Sequence, residues 1–150
     1  EGYTAEDHAR DHDIFGAWLK ENYPECLFVG PCTVGDINLF NIGMDQAGGG
    51  IASALEMVTT EELLGDQKVK MDVFSYHYYN GVSERGAAMG GHWPESACLT
   101  EQYLATAASC ARQYIDRRNR YVPGGQMWVT ESGDAGCGFW CFILRPGRYQ

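Results

Sequence analysis

The spacing of apolar residues predicts that the chain begins with a helix over residues 5–22. Its large apolar residues recur at the three- and four-residue intervals that place side chains on one helical face, namely at Ile14, Phe15, Trp18 and Leu19. Thr4, followed by two acidic residues, is typical of a helix start, because a threonine side chain can cap free backbone N–H groups. Tyr23 and Pro24 favour an end to the helix before them.

Short apolar runs farther along predict three strands that alternate with helices. The predicted strands cover residues 27–29, 71–76 and 127–130, the predicted helices 51–64 and 95–118, and a Gly-rich loop 34–50. Strand–helix alternation without hairpin signals favours an α/β fold with a parallel sheet, either doubly wound or part of a (β/α)₈ barrel. In both architectures a functional site lies beyond the carboxyl ends of the strands, which directs attention to residues 30–33, 77–80 and 131–138.

The charge balance changes the range of plausible partners. The chain has 20 acidic and 11 basic residues, a net charge of −9 and a pI near 4.8. Nucleic acids, sulfated polymers and anionic membranes favour a basic surface, so we expect no nucleic-acid partner and a neutral or weakly acidic ligand. No apolar run reaches the roughly 18 residues needed to cross a bilayer, so we expect no membrane segment.

Cysteine and histidine spacing does not indicate a metal site. The six cysteines allow three disulfides in an oxidising compartment but are too sparse to decide the compartment, and their spacing differs from that of zinc motifs. His8 and His12 stand four residues apart on the first predicted helix, but no Glu follows His8 as in metalloproteases, so we interpret them as part of a solvated acidic face. We expect no metal and no cofactor.

Two segments at predicted strand ends carry candidate chemistry. Glu131 follows the apolar run of the third strand, where a carboxylate could attack an anomeric carbon, although a Glu after a strand is often only a loop or capping residue. The second strand ends in the aromatic cluster of residues 75–80, which suits hydrogen bonding to a carboxylate and stacking on sugar rings. The alternative is a hydrated aromatic strand end without function.

These segments resemble a known enzyme family. The run Phe74-Ser75-Tyr76-His77-Tyr78-Tyr79-Asn80-Gly81 and the run Trp128-Val129-Thr130-Glu131-Ser132-Gly133 are similar to the sixth and seventh strands of heparanase- and β-glucuronidase-like glycoside hydrolases. Residues 2–31 resemble the fourth helix and fifth strand of that family. The resemblance implies a fragment of a (β/α)₈ barrel over residues 1–138, with an atypical tail over 139–150, and a retaining hydrolase of β-glucuronide linkages in a secreted or lumenal setting.

The resemblance also assigns roles to residues. It implies that Glu131 is the catalytic nucleophile and that Tyr78 and His77 assist it, whereas Tyr76 replaces the first His of the family's His-His run. It places substrate contacts at the strand end and in a Gly-rich loop that holds a uronate carboxylate through backbone N–H groups, that is, at Tyr79, Asn80, Gly136, Cys137 and Gly138. Cys137 stands where the family has a Gly.

One expected component of the resemblance is missing. The family's acid/base Glu lies in an Asn-Glu-Pro motif, and this sequence has none. We therefore expect the chain to be inactive by itself, with loss of at least about 10²- to 10⁴-fold in rate. Two alternatives stay open: a non-catalytic carbohydrate-binding barrel fragment, and another α/β protein that binds a nucleotide, although no G-x-G-x-x-G follows a strand.

Overall fold

The computed structural model describes residues 2–33, 59–81, 83, 95–133 and 136. Within them lie helices α1 (Ala5–Asn22), α2 (Thr60–Leu64) and α3 (Glu101–Tyr121), a 3₁₀ turn (Glu95–Ala97), and strands β1 (Val29–Thr33), β2 (Val73–Tyr79) and β3 (Gln126–Gly133). The strands form one parallel sheet in the order β1-β2-β3. The predicted α/β fold with about three parallel strands and intervening helices is confirmed.

Helix α1 has the predicted bounds because both of its ends are encoded locally. The Thr4 side chain accepts a hydrogen bond from the Asp7 N–H, and the Asp7 carboxylate accepts one from the Thr4 N–H, which together form a capping box. The predicted apolar face is less buried than its pattern suggests, since Ile14 and Trp18 are 64 % and 48 % exposed. The buried positions of the helix are instead the small residues Ala9 and Gly16.

Polar side chains attach α1 to the segment before β2. His8 Nδ1 lies 3.3 Å from the Leu63 carbonyl oxygen and His12 Nε2 lies 2.9 Å from that of Val69. The Asp13 carboxylate accepts the Val69 N–H at 2.9 Å. The interpretation of His8 and His12 as a solvated face is therefore wrong, because both rings are half-buried and contact main-chain carbonyls.

The other predicted elements are correct in type and inaccurate in their bounds. Each strand runs three residues or more beyond its predicted end, because residues after the apolar run still pair in the ladder. The predicted helix over 51–64 is wrong at Thr59, which has an extended backbone and caps α2; residues 51–58 and the predicted loop 34–50 lie outside the described residues. Helix α3 begins at Glu101, after its cap Thr100.

The core lies between β2 and the helices. Tyr114 of α3 stacks on Tyr76, with ring centroids 4.4 Å apart, and lies 5.9 Å from Phe74. The remaining buried members of the cluster are Phe28, Leu64, Met71, Tyr78, Cys110 and Val122. Strand β3 contributes little to this core, since Trp128 and Val129 are 39 % and 49 % exposed. In the described part of the chain, no helix has the length and apolar character to span a membrane.

Candidate active site at the carboxyl ends of the strands

The two faces of β2 differ because successive side chains of a strand point in opposite directions. Phe74, Tyr76 and Tyr78 face α3, as their contacts with Tyr114 and Thr106 show. The intervening residues therefore lie on the opposite face, which we call the site face; they are Ser75, His77 and Tyr79. The site face is where the predicted nucleophile lies.

A β-bulge brings Glu131 to the site face. Tyr76 pairs with Val129 and His77 pairs with Glu131, so Thr130 has no partner in the β2–β3 ladder. In a regular strand that continued from Val129, Glu131 would point toward the helices, because a shift of one residue exchanges the faces. Because Thr130 is an extra, unpaired residue, Glu131 lies on the site face and pairs with His77.

Two side chains of β2 meet the Glu131 carboxylate. The Tyr79 hydroxyl donates a hydrogen bond to Oε1, and His77 Nδ1 lies 3.7 Å from Oε2. The Glu131 side chain is 54 % exposed, so one side of the carboxylate remains open to a ligand. The hydrogen bond to Glu131, with smaller contributions from burial and from the negative charge, raises the pKa of Tyr79 above 10.0. Tyr79 therefore keeps its proton near neutral pH and acts as a donor.

A second bulge lies on the other side of β2. Pro31 pairs with Ser75 and Thr33 pairs with Tyr76, which leaves Cys32 outside the β1–β2 ladder with a φ of 61°. The Cys32 N–H donates to Ser75 Oγ at 3.2 Å, and Cys32 Sγ lies 3.1 Å from the same oxygen. The Thr130 hydroxyl donates to Cys32 Sγ at 3.7 Å, so residues from β1 and β3 meet above the central strand.

Two residues that were predicted to belong to the site, Tyr78 and Asn80, contact α3 instead. The Tyr78 hydroxyl lies 2.6 Å from Thr106 Oγ1 and its side chain is buried, so the structure brings Tyr79, and not Tyr78, to Glu131. The Asn80 side-chain nitrogen donates to the Tyr103 carbonyl and to Thr106 Oγ1, at 3.1 and 3.2 Å. These contacts anchor the strand end to the first turns of α3.

The predicted uronate-binding loop is described only at Gly136. Its N–H donates to the Gly81 carbonyl at 2.8 Å and its carbonyl accepts the Ser83 N–H at 2.9 Å. The Gly136 N–H is thus engaged within the protein, and the expectation that it holds a carboxylate does not fit this geometry. Cys137 and Gly138, assigned to the same loop, lie outside the described residues.

Cysteines and potential metal ligands are dispersed. Within the described ranges, no three His, Cys, Asp or Glu residues group in a way that could hold a metal ion. Of the four cysteines in the described residues, Cys26 and Cys32 are exposed, Cys98 is half-buried and Cys110 is buried.

Neither a search of protein-family models nor a search of curated protein sequences found a match to this chain. Glu131, His77 and Tyr79 were predicted from the sequence, and the predicted ranges 30–33 and 75–80 include Cys32 and Ser75 without a role for either, whereas Thr130 was not singled out. Only the consecutive polar residues Thr130 and Glu131, which interrupt the alternation of a half-buried strand, gave a signal of a bulge.

Proposed function

We propose that this chain belongs to a retaining glycoside hydrolase that acts on β-glucuronide linkages, with Glu131 as the nucleophile. The observation that carries the proposal is the position of Glu131 beside His77. Tyr79 holds one oxygen of the Glu131 carboxylate, and the Glu131 side chain is half exposed. The motif resemblance supplies the substrate class, a uronic-acid-containing glycan or glucuronide.

A barrel segment is the architecture that we propose for this sheet. Its strands are all parallel, and the side chains of Cys32 and Thr130 converge over β2 from the two flanking strands. Flanking strands of a flat sheet are about 9.6 Å apart, so contact between them is favoured by a concave face such as the interior of a barrel.

The chemistry needs a carboxylate with one free oxygen. Glu131 Oε2 would attack the anomeric carbon and form a glycosyl ester, while the bond to the leaving oxygen breaks and its electron pair departs with that oxygen. Tyr79 fixes Oε1 and so restricts the carboxylate to one orientation. A water molecule then attacks the same carbon, the ester C–O bond breaks and releases the Glu131 carboxylate, and the proton of the water passes to solvent.

Protonation of the leaving group requires a second carboxyl about 5 to 5.5 Å from the nucleophile. The family's Asn-Glu-Pro motif for that residue is absent from this sequence. We therefore expect attack only on substrates whose leaving group departs without a proton, such as dinitrophenolate, and little turnover of ordinary glycosides.

The test is to label the chain with 2,4-dinitrophenyl 2-deoxy-2-fluoro-β-D-glucuronide and map the peptides by mass spectrometry. Its leaving group needs no general acid, and the fluorine slows hydrolysis of the ester. We expect the sugar on Glu131, no label in E131Q, and normal label in E21Q, which changes an exposed carboxylate on α1. A folded protein that takes up no label, or takes it up elsewhere, contradicts the proposal.

The alternative is a non-catalytic carbohydrate-binding fragment. The missing Asn-Glu-Pro motif favours it, because a site that holds a sugar without a general acid would bind and not cleave. Saturable binding of methyl β-D-glucuronide by calorimetry, together with no label on Glu131, would support this alternative.

A further inference from the structure

The two bulges of the sheet act at the same point of β2. Cys32 and Thr130 are the unpaired residues, and they flank the segment from Ser75 to His77 on opposite sides. Bulges re-aim side chains and are frequent beside active sites. Here each one adds a small polar side chain to the face that already carries Glu131.

Core packing does not explain these two side chains. Cys32 and Thr130 are both exposed, so their contacts bury little apolar area. Cys32 also adopts a φ of 61°, a left-handed conformation that disfavours residues with a Cβ. Strain that adds nothing to the core is typical of positions used for ligand contact.

Cys32, Ser75 and Thr130 form a cluster of uncharged polar side chains on the site face. Besides the backbone ladder, the hydrogen bonds of Cys32, Ser75 and Thr130 in the described structure are with one another, through a thiol, two hydroxyls and the Cys32 N–H. Thr130 is the neighbour of Glu131 in the chain, and the bulge gives both of them access to the site face. Hydroxyls that donate and accept match the hydroxyl groups of a sugar.

We infer that Cys32 and Thr130 contact the sugar ring bound at Glu131, and that this side of the ring is recognised through its hydroxyl groups and not through a carboxylate. The inference rests on the proposed function, because the ring is the one that Glu131 attacks. Cys32 and Thr130 are binding residues that select the ring, and the nucleophile remains Glu131.

The test uses two cysteines of the same chain. Iodoacetamide is applied with and without saturating methyl β-D-glucuronide, and the alkylation rate of each cysteine is followed by mass spectrometry. Cys26 is also an exposed thiol, but it precedes β1, whereas Cys32 lies near the carboxyl end of that strand. We expect at least about a fivefold slower alkylation of Cys32 and no change at Cys26, since a bound ring excludes the reagent only from the site face.

A matched pair of variants tests Thr130. T130V removes the hydroxyl with little change in shape, and T130S keeps it. We expect T130V to need about threefold to tenfold more glucuronide for the same protection of Cys32, the loss that corresponds to one neutral hydrogen bond, and T130S to behave like the parent. Equal behaviour of the two variants would overturn the role of Thr130.

The outcomes separate this inference from the proposed function. Label on Glu131 without protection of Cys32 overturns the inference and leaves the hydrolase proposal intact. Protection of Cys32 without label on Glu131 supports the inference and contradicts catalysis. If a protein that melts cooperatively shows neither label on Glu131 nor protection of Cys32, both the inference and the proposed function are overturned.

Discussion

The two faces of β2 differ in character although they are built from similar residues. On the helix face, Phe74, Tyr76 and Tyr78 are buried against α3 and form the centre of the core. On the site face, His77 and Tyr79 are partly exposed and meet the carboxylate of Glu131. Tyr78 and Tyr79 are the same amino acid in adjacent positions, so their roles are decided by the side of the strand and not by residue type.

The largest expected effect is a difference in stability between variants of Phe74 and Ser75, two neighbours on opposite faces of β2 that are both 0 % exposed. F74A should lower the free energy of unfolding by about 3–5 kcal/mol, because it leaves a cavity beside Tyr114. S75A should cost only about 1 kcal/mol, since it removes hydrogen bonds from Cys32 and leaves no large cavity. Urea unfolding followed by circular dichroism measures both, and equal losses would remove the distinction between the faces.

The adjacent tyrosines give a smaller and more specific effect. Y78F should lower the free energy of unfolding by about 1–2 kcal/mol, because it removes a buried partner of Thr106. Y79F should leave stability within about 0.5 kcal/mol, as is usual away from the core. It should nevertheless slow labelling of Glu131 about tenfold, because the carboxylate loses the donor that orients it.

The labelling rate and the unfolding free energy of each variant are measured on the same preparation. The reverse pattern, with Y78F slow to label and Y79F unstable, would assign the site to Tyr78, as the motif resemblance first suggested.

The smallest expected effect is in the alkaline range. Burial raises the pKa of Tyr76 and of Tyr78 above 10.0. The folded state then holds these protons more tightly than the unfolded state, so their contribution is complete below pH 10.0 and is lost as pH rises through the folded pKa values. Y78F should flatten this decline.

Tyr79 provides the contrast in the same pH range. Its pKa is raised chiefly by the hydrogen bond to Glu131, so E131Q should lower the midpoint of its titration. The titration of Tyr79 is followed by the ultraviolet absorbance of tyrosinate. It is obtained as the difference between the parent and Y79F and, for the E131Q variant, between E131Q and the E131Q/Y79F double variant. A midpoint that does not change in E131Q would mean that the two side chains are not in contact in solution.

The sequence predicted element types well where local chemistry determines them. Both ends of α1 were correct because Thr4 and Asp7 cap its start and Tyr23-Pro24 follow its end. The bulges could not be predicted in the same way, because they depend on how two strands align across the sheet. Missing the bulge at Thr130 did not change the choice of Glu131. Tyr78 was assigned by its position in the motif, whereas the alternation of side chains along β2 turns Tyr78 toward Thr106 and brings Tyr79 to Glu131.

Apolar periodicity was also an incomplete guide to burial. The pattern of α1 was read correctly as helical, yet Ile14 and Trp18 are largely exposed and the helix approaches Phe28 through Gly16. A Cβ at Gly16 would lie 2.5 Å from the Phe28 ring, so close approach replaces a wide apolar contact. Apolar periodicity alone does not indicate which face of an amphipathic helix will contact the rest of the protein.

Because α1 is attached mainly through polar contacts, we expect it to be the first of the described elements to unfold. A helix held by His8, His12 and Asp13 has little buried apolar surface to lose, so it can open as a local unit while β2 and α3 stay packed. Burial lowers the pKa of His12 below 6.5, partly offset by its contact with the Val69 carbonyl. The open form therefore binds the proton more readily, and acidification below that pH favours release of α1 before any loss of the sheet that carries Glu131.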